Sequence, residues 1–340
     1  MTKGRAEIVA KVYRGDTIEA VHYGSIAVVG PNGRLTHSLG DPHMVTMARS
    51  SIKPFQLLPL LLSGAADRFG YSDEQLAIMC GSHNGSDKHR SVVLSNLELS
   101  GNSVSDLQCG SHWPMGMKAE LCWPQAGEDL DPARHNCSGK HSGFLALAKH
   151  MEVEIADYLN PESASQQLVK QSVADYCQYD QNLMPASIDG CSAPNYPLPL
   201  YNLAVGFQKL AAATGPTTSI QKAAERIRTS IFHFPEMVSG DGRFDLSLAA
   251  SFPNRLICKV GAEAIEGIGI SEPPIGIAVK VHDGSFRALG AVCIEVLRQL
   301  NLMDEADNLQ LLNPHRSPQI RNVRGLITGK IVADFELYKL

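Results

Sequence analysis

The chain has 340 residues, of which 44% are hydrophobic and 19% are charged, and its formal net charge is −5. This composition is typical of a globular protein with a sizeable core and excludes a disordered or fibrous chain. The sequence contains no block of basic residues, so nucleic-acid binding is not predicted. It also contains no apolar run of about 18 residues, so a membrane span is not predicted. The first residues lack the apolar core of a signal peptide, so a cytoplasmic location with reduced cysteines is expected.

The predicted elements begin with strands and continue with helices. Two apolar stretches, 8–13 and 17–29, precede a turn signal at 31–33 and predict an antiparallel ribbon. From Ser50 onwards the apolar residues recur at helical spacing, and a further helix is predicted at 87–99 with Asp87 as its N-cap. The later predicted elements are helices at 160–179, 199–213, 217–232 and 285–301, and strands at 256–260, 275–281 and 324–336.

Strands at both ends of the chain surround a helix-rich middle. This order predicts an α/β (α+β) fold in which one antiparallel sheet is assembled from both termini. We expect a single domain, with a sheet subregion at about 1–48 and 255–340 and a helical subregion at about 49–254.

Ser50 and Lys53 form the first chemical motif, a serine and a lysine three positions apart in a predicted helix. In a helix these side chains share a face, with Cβ atoms about 5–6 Å apart. A serine hydroxyl becomes a nucleophile when a neighbouring base takes its proton, and burial lowers the pKa of a lysine amine towards that task. The alternative interpretation is an N-cap serine beside a solvated lysine.

Two further segments complete a pattern known from serine β-lactamases and penicillin-binding proteins, in which S-x-x-K precedes S-D-N and K-T-G. A glycine-flanked loop contains Ser82-x-Asn84, and a predicted strand carries Lys259-Val260-Gly261. In that pattern the middle serine and the strand lysine share protons, and the glycine lets substrate lie along the strand. Taken singly, the loop is typical of a turn and the lysine of an edge strand.

The densest group of metal-ligating and nucleophilic residue types lies at 135–143 and 189–194. Cys137 and Cys191 occur there in glycine-rich turns, together with two histidines and Asp189. Such soft donors favour zinc, although the spacing matches no common zinc finger. Two alternatives remain open. One is a thiol nucleophile at Cys137 paired with His135 or His141, with Asp189 as the orienting group, and the other is a pair of buried structural cysteines.

These motifs resemble the L-asparaginase II family of the rhizobial, thermolabile type, which is unrelated to the better-known bacterial periplasmic asparaginases. The resemblance runs in order over most of the chain, and the stretch His-Asn-Cys-Ser-Gly-Lys-His is its most specific part. The matching segments are 49–56, 80–85, 135–143, 189–194 and 259–263.

The resemblance implies a fold akin to serine β-lactamases and serine-type glutaminases, and hydrolysis of L-asparagine to L-aspartate and ammonia. It implies two catalytic Ser-Lys pairs, Ser50 with Lys53 and Ser82 with Lys259, although Lys280 in another buried strand is a competing partner for Ser82. It also implies a homodimer. The charge distribution and the lack of a long apolar run lead us to expect no nucleic-acid and no membrane partner.

The same resemblance implies a zinc ion and no organic cofactor. The zinc ligands would be Cys137, Lys140 and Cys191, of which the lysine must first lose its proton. The zinc is expected to position the substrate or to brace the site. Substrate-binding residues are expected at Arg49, Asn84, His141, Asp189 and Gly261.

The resulting hypothesis is acyl transfer in two steps. Lys53 takes the proton of Ser50, Ser50 attacks the side-chain amide, and Ser82, linked to Lys259, protonates the departing ammonia. Three alternatives remain: an amidohydrolase that prefers glutamine or a peptide-like amide, a zinc hydrolase in which metal-bound water attacks, and a non-catalytic protein that binds an amino acid.

Overall fold

The structure is a computed structural model that describes residues 6–113, 115, 130–303, 307 and 309–340. Cys122, to which the sequence assigns no role, lies outside the described residues. The chain divides into two compact units. The sheet unit comprises Met1–Ser51, Leu198–Ala212 and Ser247–Leu340, and the helical unit comprises Ile52–Pro197 and Ala213–Leu246.

The strands of the described residues are short apart from one. They are β1 (Glu7–Arg14), β2 (Thr17–Val29), β3 (Leu35–Leu39), β4 (Val45–Met47), β5 (Ser187–Ile188), β6 (Pro194–Asn195), β7 (Pro197–Pro199), β8 (Leu256–Gly261), β9 (Ile265–Ile270), β10 (Ile275–Val281), β11 (Gln319–Arg321), β12 (Ile327–Ala333) and β13 (Tyr338–Lys339).

The helices concentrate in the middle of the chain. The α-helices are α1 (Lys53–Gln56), α2 (Leu58–Leu62), α3 (Ala65–Phe69), α4 (Asp73–Met79), α5 (Asp87–Leu99), α6 (Ser138–His150), α7 (Ala164–Tyr176), α8 (Leu200–Ala211), α9 (Thr218–His233), α10 (Pro235–Val238), α11 (Phe244–Ser251), α12 (Phe286–Gln299) and α13 (Asn313–Arg316). Short 3-10 helices lie at Arg49–Ile52, Val104–Asp106, Pro132–Arg134, Ile155–Asp157, Gln181–Leu183 and Leu309–Leu312.

The sheet unit is built on one antiparallel sheet with the strand order β11-β12-β1-β2-β10-β9-β8, while β3 pairs with β2 and β13 with β3. Because β2 is long, it pairs with β1 through its first part and with β3 through its last. Strands from both termini therefore share this sheet, and the predicted mixture of helices with an antiparallel sheet is confirmed.

Glycines in β9 and β10 bring α8 onto the sheet. A Cβ atom at Gly267 would lie 1.9 Å from the Phe207 ring, and one at Gly276 would lie 1.9 Å from the carbonyl oxygen of Ala204. Only glycine allows so close an approach, so α8 covers one face of the strands next to β8.

The helical unit surrounds α6, in which residues 138–148 are all buried. Gly139 lets α6 approach α4, since a Cβ there would lie 2.3 Å from the carbonyl oxygen of Ile78. No helix of the described residues is both long enough and apolar enough to cross a membrane.

Two local expectations need correction, and one strand was missed. The N-cap of α5 is Ser86 rather than Asp87, because the Ser86 hydroxyl accepts the backbone N–H of His89. The helix expected from 160 begins at Ala164, after the Ser163 cap. Strand β9 was not predicted, because its hairpin with β8 turns through Glu263 and Ala264, which adopt positive φ without the glycine that marks such a turn.

Candidate functional site

Lys53 begins α1 and is 1% exposed. Its amine lies 3.0 Å from the Ser82 hydroxyl oxygen, 3.1 Å from the Cys137 sulfur and 2.5 Å from the carbonyl oxygen of Gly81. These three partners match the three N–H groups of an ammonium. A buried amine in contact with a serine hydroxyl can exchange a proton with it.

Ser82 is held by the backbone on both sides of its loop. Its N–H donates to the carbonyl oxygen of Val238, and the N–H of Asn84 donates to that of Ser239. Gly81 must be glycine, because a Cβ there would lie 2.6 Å from the carbonyl oxygen of Met237. The backbone of this loop is therefore held in place, and it positions the Ser82 hydroxyl at the amine of Lys53.

The predicted zinc residues come together at the amino-terminal end of α6. Cys137 immediately precedes this helix, Lys140 lies in its first turn, and Cys191 lies in the turn between β5 and β6. The Lys140 amine is 3.0 Å from the Cys191 sulfur, and a hydrogen bond joins the two cysteine side chains. All three side chains are buried.

Hydrogen bonds and charge distinguish the two thiols. The hydrogen bond from Cys137 and the charge of Lys140 lower the pKa of Cys191, while the same hydrogen bond and burial raise the pKa of Cys137. Burial opposes the charge of Lys140, but Cys191, Cys137 and Asp189 outweigh it and raise the pKa of Lys140. The cluster therefore favours an ammonium beside a thiolate.

This donor set fits zinc only with help from the lysine. Two sulfurs and one amine are soft or borderline donors of the kind zinc accepts, provided that the amine loses its proton. In the described part of the chain, no three or more His, Cys, Asp and Glu side chains are grouped as a metal ion requires. The predicted zinc site thus depends on Lys140 as the third ligand.

His141 and Asp189 border this cluster. His141 is fully buried, its Nδ1 lies 2.7 Å from the Tyr158 hydroxyl, and burial lowers the pKa of His141 to about 4. The carboxylate of Asp189 accepts the N–H of Gly190 and the side-chain amide of Asn195.

Asn84 lies one residue beyond His83 in the loop of Ser82. It is 6% exposed, and its amide nitrogen lies 3.3 Å from the carbonyl oxygen of Asp241. Its side-chain oxygen is buried without a hydrogen-bond partner. The structure thus places Asn84 near Ser82, with a side-chain oxygen that can still accept a hydrogen bond.

Arg49, Ser50 and Gly261 belong to the sheet unit. Arg49 has a φ of 52°, in the left-handed region that costs a non-glycine residue conformational energy. A Cβ at Gly261 would lie 2.9 Å from the carbonyl oxygen of Ala48 and 3.2 Å from the Arg49 Cβ. The structure therefore brings β8 against the turn that leads into Ser50.

Lys259 and Lys280 lie on the same face of the sheet as Gly261. Gly261 pairs with Ile265, and Ile265 pairs with Lys280, so these three residues share a face. Lys259 is two residues before Gly261 and points the same way. The choice between the two lysines as partner of Ser82, which lies in the helical unit, stays a prediction.

The amines of these two lysines are bonded to different carbonyl groups. Lys259 is fully buried, and its amine lies 2.6 Å from the carbonyl oxygen of Val260. The amine of Lys280 donates to the carbonyl oxygens of Glu263 and Val281, and burial lowers the pKa of Lys280.

Three features of the site were missed from the sequence. Lys53 contacts Cys137, which joins the serine-lysine pair to the predicted metal cluster. The Arg243 guanidinium donates to the carbonyl oxygen of Ser82 at 2.5 Å. The position of Arg243 directly after the glycine-containing turn 240–242 is the only sequence feature that could have pointed to it. The Tyr158 hydroxyl reaches His141, and an isolated tyrosine gives no signal of its own in a sequence.

Comparisons with known proteins agree with the sequence resemblance. The family profile described as L-asparaginase II matches residues 10–333, whereas no curated protein sequence matches the chain. Among solved structures, a protein named Mglu in its native form matches at 16% identity with a TM-score of 0.42, over 84% of this chain and 66% of that one. This chain therefore spans slightly less than two thirds of the Mglu chain.

Two β-lactamases also match at low similarity. One from Mycobacterium bovis has 12% identity and a TM-score of 0.43, over 81% of this chain and 94% of its own. A class C β-lactamase from Rhodobacter sphaeroides has 12% identity and a TM-score of 0.40, over 82% of this chain and 95% of its own.

Proposed function

Because this chain belongs to the L-asparaginase II family and is thus an amidohydrolase, we propose that it hydrolyses the side-chain amide of L-asparagine to L-aspartate and ammonia. The observation that carries the proposal is the 3.0 Å contact between the buried Lys53 amine and the Ser82 hydroxyl. Such a pair can accept and return the protons that acyl transfer to a hydroxyl requires.

In the first step, Ser50 attacks the amide carbon and Lys53 takes the hydroxyl proton. The proton then passes from Lys53 through the Ser82 hydroxyl to the leaving nitrogen, so ammonia departs and a β-aspartyl ester of Ser50 remains. Ser50 lies three residues before Lys53 in the chain, and the contact between Lys53 and Ser82 supports this relay. A backbone N–H at the developing oxyanion would contribute about 3–4 kcal/mol.

In the second step, water attacks the ester carbon, Ser50 leaves as the alcohol and L-aspartate is released. Ser82 and Lys53 carry the proton in the reverse direction, from water to Ser50. Lys259 remains the predicted further partner of Ser82. Arg49, Asn84, His141, Asp189 and Gly261 remain the predicted substrate-binding residues.

A zinc ion held by Cys137, Lys140 and Cys191 would supply a positive centre that positions an anionic group of the substrate. The chain's own residues are arranged for that charge, since two sulfurs lie within reach of each other and of the Lys140 amine. The sequence-based expectation of a homodimer is kept as part of the proposal, and sedimentation of the purified protein tests it.

Ammonia release from L-asparagine and from L-glutamine, measured side by side, tests the substrate. We expect kcat/KM for asparagine to exceed that for glutamine by at least about tenfold, because one methylene in a closed pocket discriminates to that extent. A preference for glutamine would overturn the substrate, and ligand binding without ammonia release would overturn the reaction.

The nucleophile is tested by Ser50→Ala, with Ser51→Ala as the matched control. Ser51 lies in the same turn, but its hydroxyl donates to the carbonyl oxygen of Ala48 at 2.6 Å. We expect Ser50→Ala to lower kcat by at least about 10³-fold and Ser51→Ala to retain most activity. Turnover that survives Ser50→Ala but is lost on chelation would favour metal-bound water as the nucleophile.

A further inference from the structure

Two peptide groups flank Ser82 and set the direction of its side chain. Because peptide groups are planar, fixing both of them fixes the two backbone dihedral angles of the residue between them and so its Cα–Cβ bond. In the peptide group before Ser82, the carbonyl oxygen of Gly81 accepts the Lys53 amine at 2.5 Å. The N–H of that group, which belongs to Ser82, donates to the carbonyl oxygen of Val238 at 2.8 Å. This peptide group is therefore held at both of its polar atoms.

The peptide group after Ser82 is held by Arg243. Its N–H belongs to His83 and donates to the carbonyl oxygen of Asn136 at 3.1 Å. Its carbonyl oxygen belongs to Ser82 and accepts Nη1 of Arg243 at 2.5 Å. Within the part of the chain that the structure describes, no other group donates to this oxygen. Because Ser82 is buried, losing this donor would leave a carbonyl group unsatisfied, which is costly.

Arg243 is itself held in the position from which it donates. Its backbone N–H donates to the carbonyl oxygen of Gly240 at 3.3 Å, and its Nε lies 3.6 Å from a carboxylate oxygen of Asp245. The same carboxylate oxygen accepts the hydroxyl of Ser239 at 2.5 Å, and the Asp245 side chain is only 3% exposed. The guanidinium is thus placed in advance, so little side-chain freedom is lost in holding the carbonyl group.

We propose that Arg243 is a positioning residue: its guanidinium fixes the peptide group after Ser82 and thereby holds the Ser82 hydroxyl at the amine of Lys53. This inference rests on the proposed function, in which that hydroxyl carries the proton to the leaving nitrogen. Proton transfer needs the two heavy atoms within hydrogen-bond reach, and they lie 3.0 Å apart. A misplacement of about 1 Å can cost about 10²-fold in rate, so the donor to the backbone matters to turnover.

Arg243→Met is the first test, because it removes the donor and the charge and keeps an unbranched side chain. We expect kcat to fall by about 10–100-fold and KM to change by less than about threefold, since the displaced hydroxyl moves a proton and does not bind substrate. Arg243→Lys keeps the charge and can offer one donor to the carbonyl oxygen, so it should recover about tenfold. A raised KM with unchanged kcat would mean that Arg243 binds substrate, and would overturn the inference.

Arg226→Met is the matched control. The Arg226 guanidinium also donates to a backbone carbonyl oxygen, that of Tyr71 at 2.7 Å, and to a carboxylate, that of Asp67 at 2.7 Å. Its side chain is 31% exposed, against 22% for Arg243. Since neither partner belongs to the site, we expect kcat to stay within about twofold of the wild type. An equal loss of kcat in Arg226→Met and Arg243→Met would contradict a role specific to the site.

A double-mutant cycle shows whether Arg243 acts through the hydroxyl. Ser82→Ala removes this hydroxyl and keeps the carbonyl group that Arg243 holds. We expect Arg243→Met to lower kcat by about 10–100-fold in the wild-type background and by less than about twofold in the Ser82→Ala background. Single-turnover ammonia release at high enzyme concentration measures the residual rates. A loss of the same size in both backgrounds would overturn the inference.

Hydrogen–deuterium exchange of residues 80–85 is a readout that needs no turnover. In Arg243→Met the N–H groups of Ser82 and His83 should exchange about tenfold faster, the factor that one lost hydrogen bond is worth, while the rest of the helical unit keeps its rates. Arg226→Met should leave this loop unchanged. Unchanged exchange in a folded Arg243→Met protein would overturn the inference even in an active asparaginase. A wild type that releases no ammonia would overturn the proposed function, and exchange would then decide by itself whether Arg243 positions the loop.

Discussion

Lys53 and Lys140 are two buried amines of the helical unit that meet very different partners. Lys53 is 1% exposed and Lys140 is 3% exposed. The Lys53 amine lies 3.1 Å from the Cys137 sulfur, and the Lys140 amine lies 3.0 Å from the Cys191 sulfur. Lys53 also contacts a serine hydroxyl and a carbonyl oxygen, which are neutral groups. Lys140 is instead surrounded by two cysteines and the charge of Asp189, which raise its pKa.

This difference separates the two lysines by chemistry rather than by burial. An amine beside a hydroxyl can pass a proton along a hydrogen bond, whereas an amine beside a thiolate is held as a cation. Burial alone does not distinguish the two amines, since both side chains are buried. The partners, and not the depth in the fold, therefore suit Lys53 to proton transfer and Lys140 to holding a charge or a metal ion.

Cys137 links the two regions, because it contacts the Lys53 amine and hydrogen-bonds to Cys191. A change in either region can therefore reach the other through one sulfur. Replacement of the two lysines should nevertheless have different consequences, on turnover for Lys53 and on metal binding for Lys140.

The largest expected effect is on Lys53→Met, which keeps the length and apolar stem of the side chain but removes the amine. We expect kcat for asparagine to fall by about 10³-fold, within the range that general acid–base groups contribute. Lys149→Met is the control, since Lys149 is an exposed lysine at the end of α6. Stopped ammonia assays measure the rates, and circular dichroism with thermal unfolding shows whether each variant is folded.

A folded Lys53→Met protein that keeps more than about a tenth of its activity would remove Lys53 from the reaction. Zinc affinity should change little in this variant, because Lys53 contacts one cysteine only and is not among the predicted ligands.

A smaller effect on turnover, and a larger one on metal binding, is expected from Lys140→Met. The variant removes one predicted ligand and the cation that stabilises the Cys191 thiolate. The affinity for zinc should therefore fall by about 10-fold to 100-fold. Binding in the wild type should also weaken as the pH falls, because zinc must displace protons from Lys140 and the thiols. Chelator competition at several pH values measures both effects.

If zinc binds Lys140→Met as tightly as it binds the wild type, the lysine is not a ligand. If Lys140→Met loses turnover as completely as Lys53→Met while zinc is saturating, the distinction between the two regions is wrong.

Much of the fold was predictable because its signals are local. The ribbon of β1 and β2, the buried strand β10 and the helix α12 follow from apolar periodicity and turn residues. The hairpin of β8 and β9 was missed because Glu263 and Ala264 adopt positive φ in place of glycine, a conformation that only the folded surroundings maintain.

The site was predictable in its residue types but not in its connections. The cysteines and lysines stood out as chemically active residues, and Lys140 meets Cys191 as the resemblance implied. The contact of Lys53 with both Ser82 and Cys137 joins residues 29 and 84 positions apart in the chain, and sequence spacing carries no information about such contacts. Arg243 and Tyr158 depend on packing in the same way.

The smallest expected effect concerns His83, which reports the charge on Lys53. His83 is fully buried, its Nδ1 accepts the N–H of Gly85, and its ring stacks on His89 at 4.9 Å. Burial, the neighbouring His89 and the positive charge of Lys53 hold the pKa of His83 well below its usual value. Lys53→Met should therefore raise the pKa of His83, whereas Lys140→Met should leave it unchanged.

Histidine NMR from neutral pH down to the acid limit of the folded state measures this shift. The sign also has a consequence for stability: because folded His83 stays neutral, unfolding takes up a proton below about pH 6.5, and the free energy of unfolding falls as the pH falls. Raising the pKa of His83 in Lys53→Met should make that decline shallower. A His83 pKa that is the same in Lys53→Met as in the wild type would mean that Lys53 does not contribute to lowering the pKa of His83.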